Sequence, residues 1–279
     1  MILTVDGAEV HAATGGVDPA TRPITDPVVV LVHGAGMDAT VWQLQTRYLA
    51  HHGCRPIAVD LPGHGRSGGA PLTSIGDMAD WLGRYIEALA GAGIAGGKGE
   101  VVVVGHSMGT FIGLELAVRR PELVARLVLL GTANAMPVHP DLLAAADGDL
   151  PAAAALMAAW GHAKPAHVGL NPTPGLWMLG GARALVEVGE SGVLATDFRA
   201  CMTYEGALDA AAKVGCPVAV AIGAGDKMTP PKAGAKLVGA LESGDAVVEV
   251  VRLADTGHMM MVENPAAIRS LLVDALGPG

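Results

Sequence analysis

Gly105-His106-Ser107-Met108-Gly109 is the stretch of this sequence best suited to covalent chemistry. It follows the apolar run Val101 to Val104 and opens a helical pattern that extends from Met108 to about Arg119. A serine held between strand and helix, with a glycine two residues away on either side, suits a sharp strained turn. Such a turn lifts the hydroxyl clear of the C-terminal edge of a sheet, where ligands bind in open α/β structures. Side chains at Gly105 and Gly109 would collide with neighbouring backbone there. The bare pattern also suits an ordinary glycine-rich turn, and it is the flanking strand and helix that favour a nucleophile.

A hydroxyl is a poor nucleophile until a base removes its proton, so a histidine is needed beside it and an acid to fix that histidine's tautomer. Of the ten histidines, His258 lies in Asp255-Thr256-Gly257-His258-Met259, between the last strand-like run and the last helix. It should emerge at the same sheet edge as Ser107. Asp226, in Gly223-Ala224-Gly225-Asp226-Lys227, follows the run Val218 to Ile222 and should emerge there too. Asp255 competes for the acid's role, although a helix cap suits it better. Acyl transfer also needs backbone N–H donors aimed at the developing oxyanion. Met108, at a helix N-terminus directly after the nucleophile, is one candidate. His33 and His106 are expected to bond backbone beside the site, and His64 and Arg66 to brace a loop.

The elements that position these residues follow from periodicity. Short β-branched runs alternate with longer helical patterns, which predicts a mainly parallel sheet covered by helices. The strands are placed at Val28 to Val32, Ile57 to Val59, Val101 to Val104, Leu127 to Leu130, Val218 to Ile222 and Val247 to Arg252. Asp6-Gly7, between Thr4–Val5 and Glu9–Ala12, signals a leading hairpin. Ile75, Met78, Leu82, Ile86 and Leu89 share one face of a helix from Ser74 to Gly91. The last helix starts at Asn264-Pro265 and stops at Gly277. From Ala133 to Ala212 the rhythm breaks into alanine, methionine and glycine without a strand-like run. Residues 133–212 are therefore read as an inserted helical cap on a core of 1–132 and 213–279. Pro137, Pro140, Pro151, Pro165, Pro172 and Pro174 should divide it into short helices.

The chain order Ser, Asp, His resembles that of the α/β-hydrolase fold family, serine-nucleophile branch. So do His33-Gly34-Ala35-Gly36 after the first core strand and Asp60-Leu61-Pro62-Gly63-His64-Gly65-Arg66-Ser67 after the second. The resemblance runs over nearly the whole length and implies an α/β-hydrolase fold with Ser107, Asp226 and His258 as the triad and the Ala35 N–H as second oxyanion donor. Serine at the turn sets the chain apart from the family's epoxide hydrolases and haloalkane dehalogenases, which use aspartate. Met259 stands where related hydroxynitrile lyases carry lysine. Carbon-carbon hydrolases often have asparagine before the nucleophile, where this chain has His106, while lactonases and cofactor-free haloperoxidases have very similar cores. The expected reaction is acyl-enzyme hydrolysis of a small, mainly apolar carboxylic ester, lactone or thioester. Carbon-carbon cleavage of diketo acids is the alternative, and a non-catalytic ligand-binding module of the same fold lies further off.

An adaptable apolar pocket would suit that substrate. Met136, Met157, Trp160, Trp177, Met178 and Met202 from the cap, and Met259 after the base, are candidates to line it, although for each one holding the helices together is the plainer use. Arg183 and Arg199 are assigned to the surface. Neither a metal nor an organic cofactor is expected, and the partner is a small-molecule substrate, with a homodimer left open. The 279 residues can bury a full core. Mean hydropathy is +0.43, yet no apolar run nears the roughly 18 residues that a membrane span needs. A net charge of −9 without a basic cluster argues against nucleic acid and anionic membranes. Cys54, Cys201 and Cys216, odd in number and far apart, suit a reducing compartment as small core hydrophobes. With no basic segment leading into an apolar one at the N-terminus, a cytoplasmic location is expected.

Overall fold

A computed structural model of the chain describes residues 1–95, 100–170 and 175–276. The strands are β1 (Ile2–Val5), β2 (Ala8–Ala13), β3 (Val28–Val32), β4 (Arg55–Val59), β5 (Val101–His106), β6 (Val124–Leu130), β7 (Val218–Gly223) and β8 (Val248–Leu253). They form one sheet in the order β1-β2-β4-β3-β5-β6-β7-β8. The first two pair as an antiparallel hairpin in which Asp6 and Gly7 take φ values of 52° and 81°, as a two-residue primed turn requires. From β4 to β8 every pairing is parallel. β3, β5 and β7 bury all their residues, so they read as nearly unbroken apolar runs: a parallel sheet is covered on both faces.

The cover comes from α1 (Gln43–Ala50), α2 (Ile75–Gly91) and α3 (Met108–Arg119), and later from α10 (Pro231–Glu242), α11 (Met260–Glu263) and α12 (Pro265–Leu276). Between β6 and β7 lie α4 (Pro140–Gly148), α5 (Leu150–Gly161), α6 (Lys164–His167), α7 (Met178–Glu187), α8 (Val193–Thr203) and α9 (Ala207–Ala211). That interval contains no strand among the described residues. α1 packs on α12, while α2, α3, α9 and α10 form a contiguous row. α9, inside the interval read as the cap, thus packs against core helices.

Local chemistry explains most boundaries. Ser74 caps α2 by accepting the Asp77 N–H at 3.1 Å, and Asn264 Oδ1 accepts from Ala267 N at 3.4 Å in the first turn of α12. Pro140, Pro151 and Pro165 stand in the first turns of α4, α5 and α6. They begin these helices rather than interrupting them, because a missing N–H costs nothing in a first turn. Pro172, Pro174 and Gly277 lie outside the described residues. β4 starts at Arg55-Pro56, two residues before its apolar run. The buried Arg55 guanidinium donates to the carbonyls of Ile24, Asp26 and Ile94, and β2 pairs only with Ala58 and Val59, so the missing N–H of Pro56 breaks no rung to β2.

The chain passes from β3 outward to β4 and then crosses back to place β5 on the far side of β3. At such a switch point the loops leaving the C-terminal ends of the two strands run in opposite directions and open a crevice. Here those loops carry His33 to Gly36 and Ser107.

Candidate active site

Ser107 leaves β5 with φ 53° and ψ −118°, one of three non-glycine residues with positive φ among those described. This conformation costs on the order of 1–3 kcal/mol and is held by its surroundings. The Ser107 N–H donates to Leu130 O at 3.0 Å, and Thr110 Oγ1 donates to Ser107 O at 2.6 Å. The flanking glycines are sterically required: a Cβ on Gly105 would strike the Gly109 carbonyl, and one on Gly109 would lie 2.5 Å from Val32 O. The Ser107 hydroxyl has no hydrogen-bond partner among the described residues and opens onto a cavity of about 330 Å³.

His258 and Asp226 are buried and joined, with Nδ1 to Oδ2 at 2.9 Å. Three further donors hold the carboxylate: Met228 N and Thr229 N on Oδ1 at 2.9 and 2.8 Å, and Thr229 Oγ1 on Oδ2 at 2.7 Å. Burial pushes the Asp226 carboxyl upward. The charge and hydrogen bond of His258, with those from Thr229, outweigh it and hold the group below the usual carboxylate range. An ionised Asp226 fixes the proton on Nδ1 and leaves Nε2 free to accept one. The loop carrying His258 is clamped to the end of α5: His258 N and Met259 N donate to Gly161 O at 2.8 and 3.0 Å, and buried Glu263 accepts from Ala163 N and Gly257 N.

His106 joins the Ser107 turn to the His258 loop. Its Nε2 donates to His258 O at 3.0 Å, its ring packs on the His258 ring at 4.7 Å, and burial pushes its pKa down to about 3. It is a neutral spacer. His33 is likewise buried, with its pKa well below the usual imidazole value for the same reason. It donates from Nδ1 to Gly34 O at 2.9 Å and accepts at Nε2 from Leu61 N at 3.2 Å. Asp60 braces the next loop, accepting from Ala39 N, Arg66 N and His11 Nδ1. Asp255 is an exposed turn residue with φ 52° that, among the described residues, makes no hydrogen bond to His258 and caps no helix.

As the first residue of α3, Met108 presents an N–H with no acceptor inside the helix. The Ala35 N–H also has no acceptor among the described residues. Gly34 O, on the same peptide unit, is held by His33 Nδ1 and by Met37 N at 3.2 Å, and a Cβ on Gly34 would lie 3.1 Å from Ser107 Cβ. Two free donors therefore flank the serine.

The cavity is lined by Ala35, Ser107, Met136, Pro137, Val138, His139, Leu142, Trp160, Phe198, Cys201, Lys227, Met228 and Thr229. Of the candidates for its wall, Met136 and Trp160 are there. Met157 and Met259 instead border a small void beside His258, and Trp177 and Met178 line a separate crevice with Thr40 and Val41. Trp177 is 77% exposed and Met202 43%. Helical periodicity tells which side of α7 and α8 is apolar but not which hollow that side meets. Arg183 and Arg199 pair at the surface with Glu187 and Asp147.

Two functional-looking residues escape a reading by motif. Thr229, three positions after Asp226, touches both members of the pair, standing 3.1 Å from His258 Nδ1. Asp197 on α8 reaches His64 and Gly36, which are 133 and 161 residues away in sequence, so no local pattern announces it.

Among the described residues no cluster of His, Cys, Asp and Glu could hold a metal ion, and no helix is long and apolar enough to cross a membrane. Known proteins give an independent comparison. A family model described as the alpha/beta hydrolase family matches residues 29–271. An (E)-2-((N-methylformamido)methylene)succinate hydrolase of Acinetobacter baylyi is 38% identical over 103 residues, 37% of this chain and 36% of that protein. A pimeloyl-[acyl-carrier protein] methyl ester esterase of Aromatoleum aromaticum is 38% identical over 119 residues, 43% and 42% of the two. The chain spans less than half the length of these curated relatives. Among solved structures, an enol-lactonase from Burkholderia xenovorans superposes with TM-score 0.82 at 21% identity, covering 100% of both chains, a likeness of fold alone. A thermophilic esterase superposes with TM-score 0.76 at 26% identity, covering 99% of this chain and 96% of that one.

Proposed function

The chain belongs to the alpha/beta hydrolase family, and from that premise we propose that it is a serine hydrolase cleaving a small, mainly apolar carboxylic ester, lactone or thioester through an acyl-enzyme. One observation carries the reading: a buried Asp226 bonded to His258, whose ring packs on that of His106, the residue before a strained Ser107 whose hydroxyl opens onto an apolar cavity.

In this mechanism His258 Nε2 takes the Ser107 proton as Oγ attacks the acyl carbon. Charge collects on the carbonyl oxygen, where the N–H groups of Met108 and Ala35 receive it. Losing one such donor typically costs about 3 kcal/mol of barrier. The intermediate collapses to the acyl-enzyme while His258 returns the proton to the departing alcohol, enol or thiol. Water then enters, gives His258 a proton as it attacks the acyl carbon, and His258 passes that proton to the Ser107 oxygen as the C–O bond breaks and the free carboxylic acid leaves. Asp226 stays ionised throughout and stabilises the imidazolium of each step. Met136, Leu142, Trp160 and Phe198 would surround the apolar part of the substrate. The protein is proposed to be a cytoplasmic enzyme that needs no metal or organic cofactor.

The test is a panel of p-nitrophenyl esters of increasing chain length, run beside lactones, thioesters and vinylogous diketo acids, with Ser107→Ala as control. The proposal expects serine-dependent turnover of short to medium acyl groups. Turnover confined to the diketo acids would replace it with carbon-carbon hydrolysis, and no turnover of any of them would remove it.

A further inference from the structure

Behind the oxyanion loop sits a carboxylate that the mechanism above does not use. Asp197 is fully buried on α8. Its Oδ2 accepts from Gly36 N at 2.8 Å and from His64 Nε2 at 2.8 Å, while Oδ1 has no partner among the described residues. His64 is buried as well, and its Nδ1 faces Pro62 O at 3.0 Å, so both ring nitrogens meet acceptors and the ring is a double donor. A buried charge with half its oxygens unsatisfied is expensive, and packing alone would be served as well by an apolar residue.

The placement gives the charge a use. Two successive peptide units follow His33. The first joins Gly34 to Ala35: its carbonyl is held by His33 and Met37, and across a trans peptide the Ala35 N–H points the opposite way. The second joins Ala35 to Gly36, and its N–H is held by Asp197. With both peptides fixed, the loop cannot rotate the Ala35 donor away. Leu194, one turn before Asp197, closes the same contact, since a Cβ on Gly36 would lie 2.6 Å from its Cδ1. The next residue, Phe198, and then Cys201 line the Ser107 cavity. One helix therefore touches both the substrate space and the oxyanion loop.

We propose that Asp197 is a positioning residue: its buried carboxylate, acting through the Gly36 N–H, holds the Ala35 N–H in the direction that meets the oxyanion, and ties that direction to the wall helix α8. The proposal rests on the serine-hydrolase reading, because it needs an oxyanion to form at Ser107. Its consequence is specific. Transition-state binding should suffer when Asp197 is changed, and ground-state binding should not.

The experiment compares wild type with Asp197→Asn, which is nearly isosteric and uncharged. Active sites are counted by titration with an organophosphonate, so that every rate refers to folded, competent enzyme. The expected result is a loss of about tenfold in kcat per titrated site, with KM within twofold. Affinity for an alkyl trifluoromethyl ketone, whose adduct with serine carries an oxyanion, should fall by a similar factor, and inhibition by the carboxylic acid product should be unchanged. A purely structural role predicts otherwise: fewer titratable sites and a lower Tm, with kcat per site and ketone affinity both within twofold of wild type. That result would overturn the proposal. Should Asp197→Asn fail to accumulate as folded protein, His64→Gln leaves Asp197 in place with a neutral donor. It is expected to show the same split between kcat and KM at about threefold, and an unchanged kcat per site would again overturn the proposal. A wild-type protein that neither hydrolyses esters nor titrates would refute the underlying reading instead, so the two failures are told apart.

Discussion

Replacing Thr229 with valine removes one hydroxyl from the Asp226–His258 pair and little else, because the two side chains have nearly the same shape. The hydroxyl donates to Asp226 Oδ2 at 2.7 Å and stands 3.1 Å from His258 Nδ1. A hydrogen bond to a charged group is worth roughly 1.5–3 kcal/mol. Were all of it lost in the transition state, where Asp226 must balance an imidazolium, the rate would fall by roughly 10- to 150-fold at about 1.4 kcal/mol per decade. Asp226 keeps the N–H groups of Met228 and Thr229 and the proton of His258 Nδ1, so the lower end applies. The expected outcome is a drop of about tenfold in kcat/KM on p-nitrophenyl butyrate, carried by kcat, with KM within twofold although Thr229 borders the cavity. Steady-state kinetics on a titrated preparation measures it. A kcat/KM within twofold of wild type, or a loss confined to KM, would mean that the carboxylate does not work through His258 as argued.

Ser107→Ala should leave the fold intact and remove turnover by several orders of magnitude, read by circular dichroism and ester hydrolysis on one sample. Gly109→Ala puts a methyl 2.5 Å from Val32 O and should cost enough stability to lower Tm measurably, whereas Gly91→Ala, which meets open space in α2, should not. Stability should fall on acidification. Burial holds His33 and His106 below the ordinary imidazole pKa, so the unfolded chain binds protons that the folded chain refuses once pH drops below about 6.5. Urea midpoints at pH 7, 5.5 and 4.5 should decrease in that order. His64 has the opposite sign: burial lowers its pKa, but the Asp197 hydrogen bond and charge outweigh that and raise it, so its contribution is present in acid and fades as pH rises through the raised value. His64→Gln should therefore flatten the alkaline side of the stability profile and leave the acid side in place.

Much of the fold was legible because parallel strands buried on both faces must be apolar throughout. Val28 to Val32 reads as a strand and is one, end to end. The strands that begin on Arg55 or Val124 start before their apolar runs, since burial of Arg55 is made tolerable by carbonyls distant in sequence. The Ser107 turn was legible because its glycines are demanded by backbone collisions that any such turn would suffer. Asp226 and His258 could be placed by the strand ends that precede them. The cavity wall was not legible in the same way. Trp160 and Trp177 look alike as aromatic residues in a helical interval, yet one lines the cavity onto which Ser107 opens and the other, largely exposed, borders a separate crevice, because that choice depends on how α5 and α7 pack together. Asp197 and Thr229 belong to the same class, since each has meaning only through partners that tertiary structure supplies.

Covalent trapping tests the central claim most directly. Wild-type protein treated with an alkyl organophosphonate, digested and analysed by mass spectrometry, should carry a single adduct on the peptide containing Ser107. The adduct should be absent in Ser107→Ala and form far more slowly in His258→Ala. An adduct on another residue, or ester hydrolysis that survives Ser107→Ala, would contradict the account.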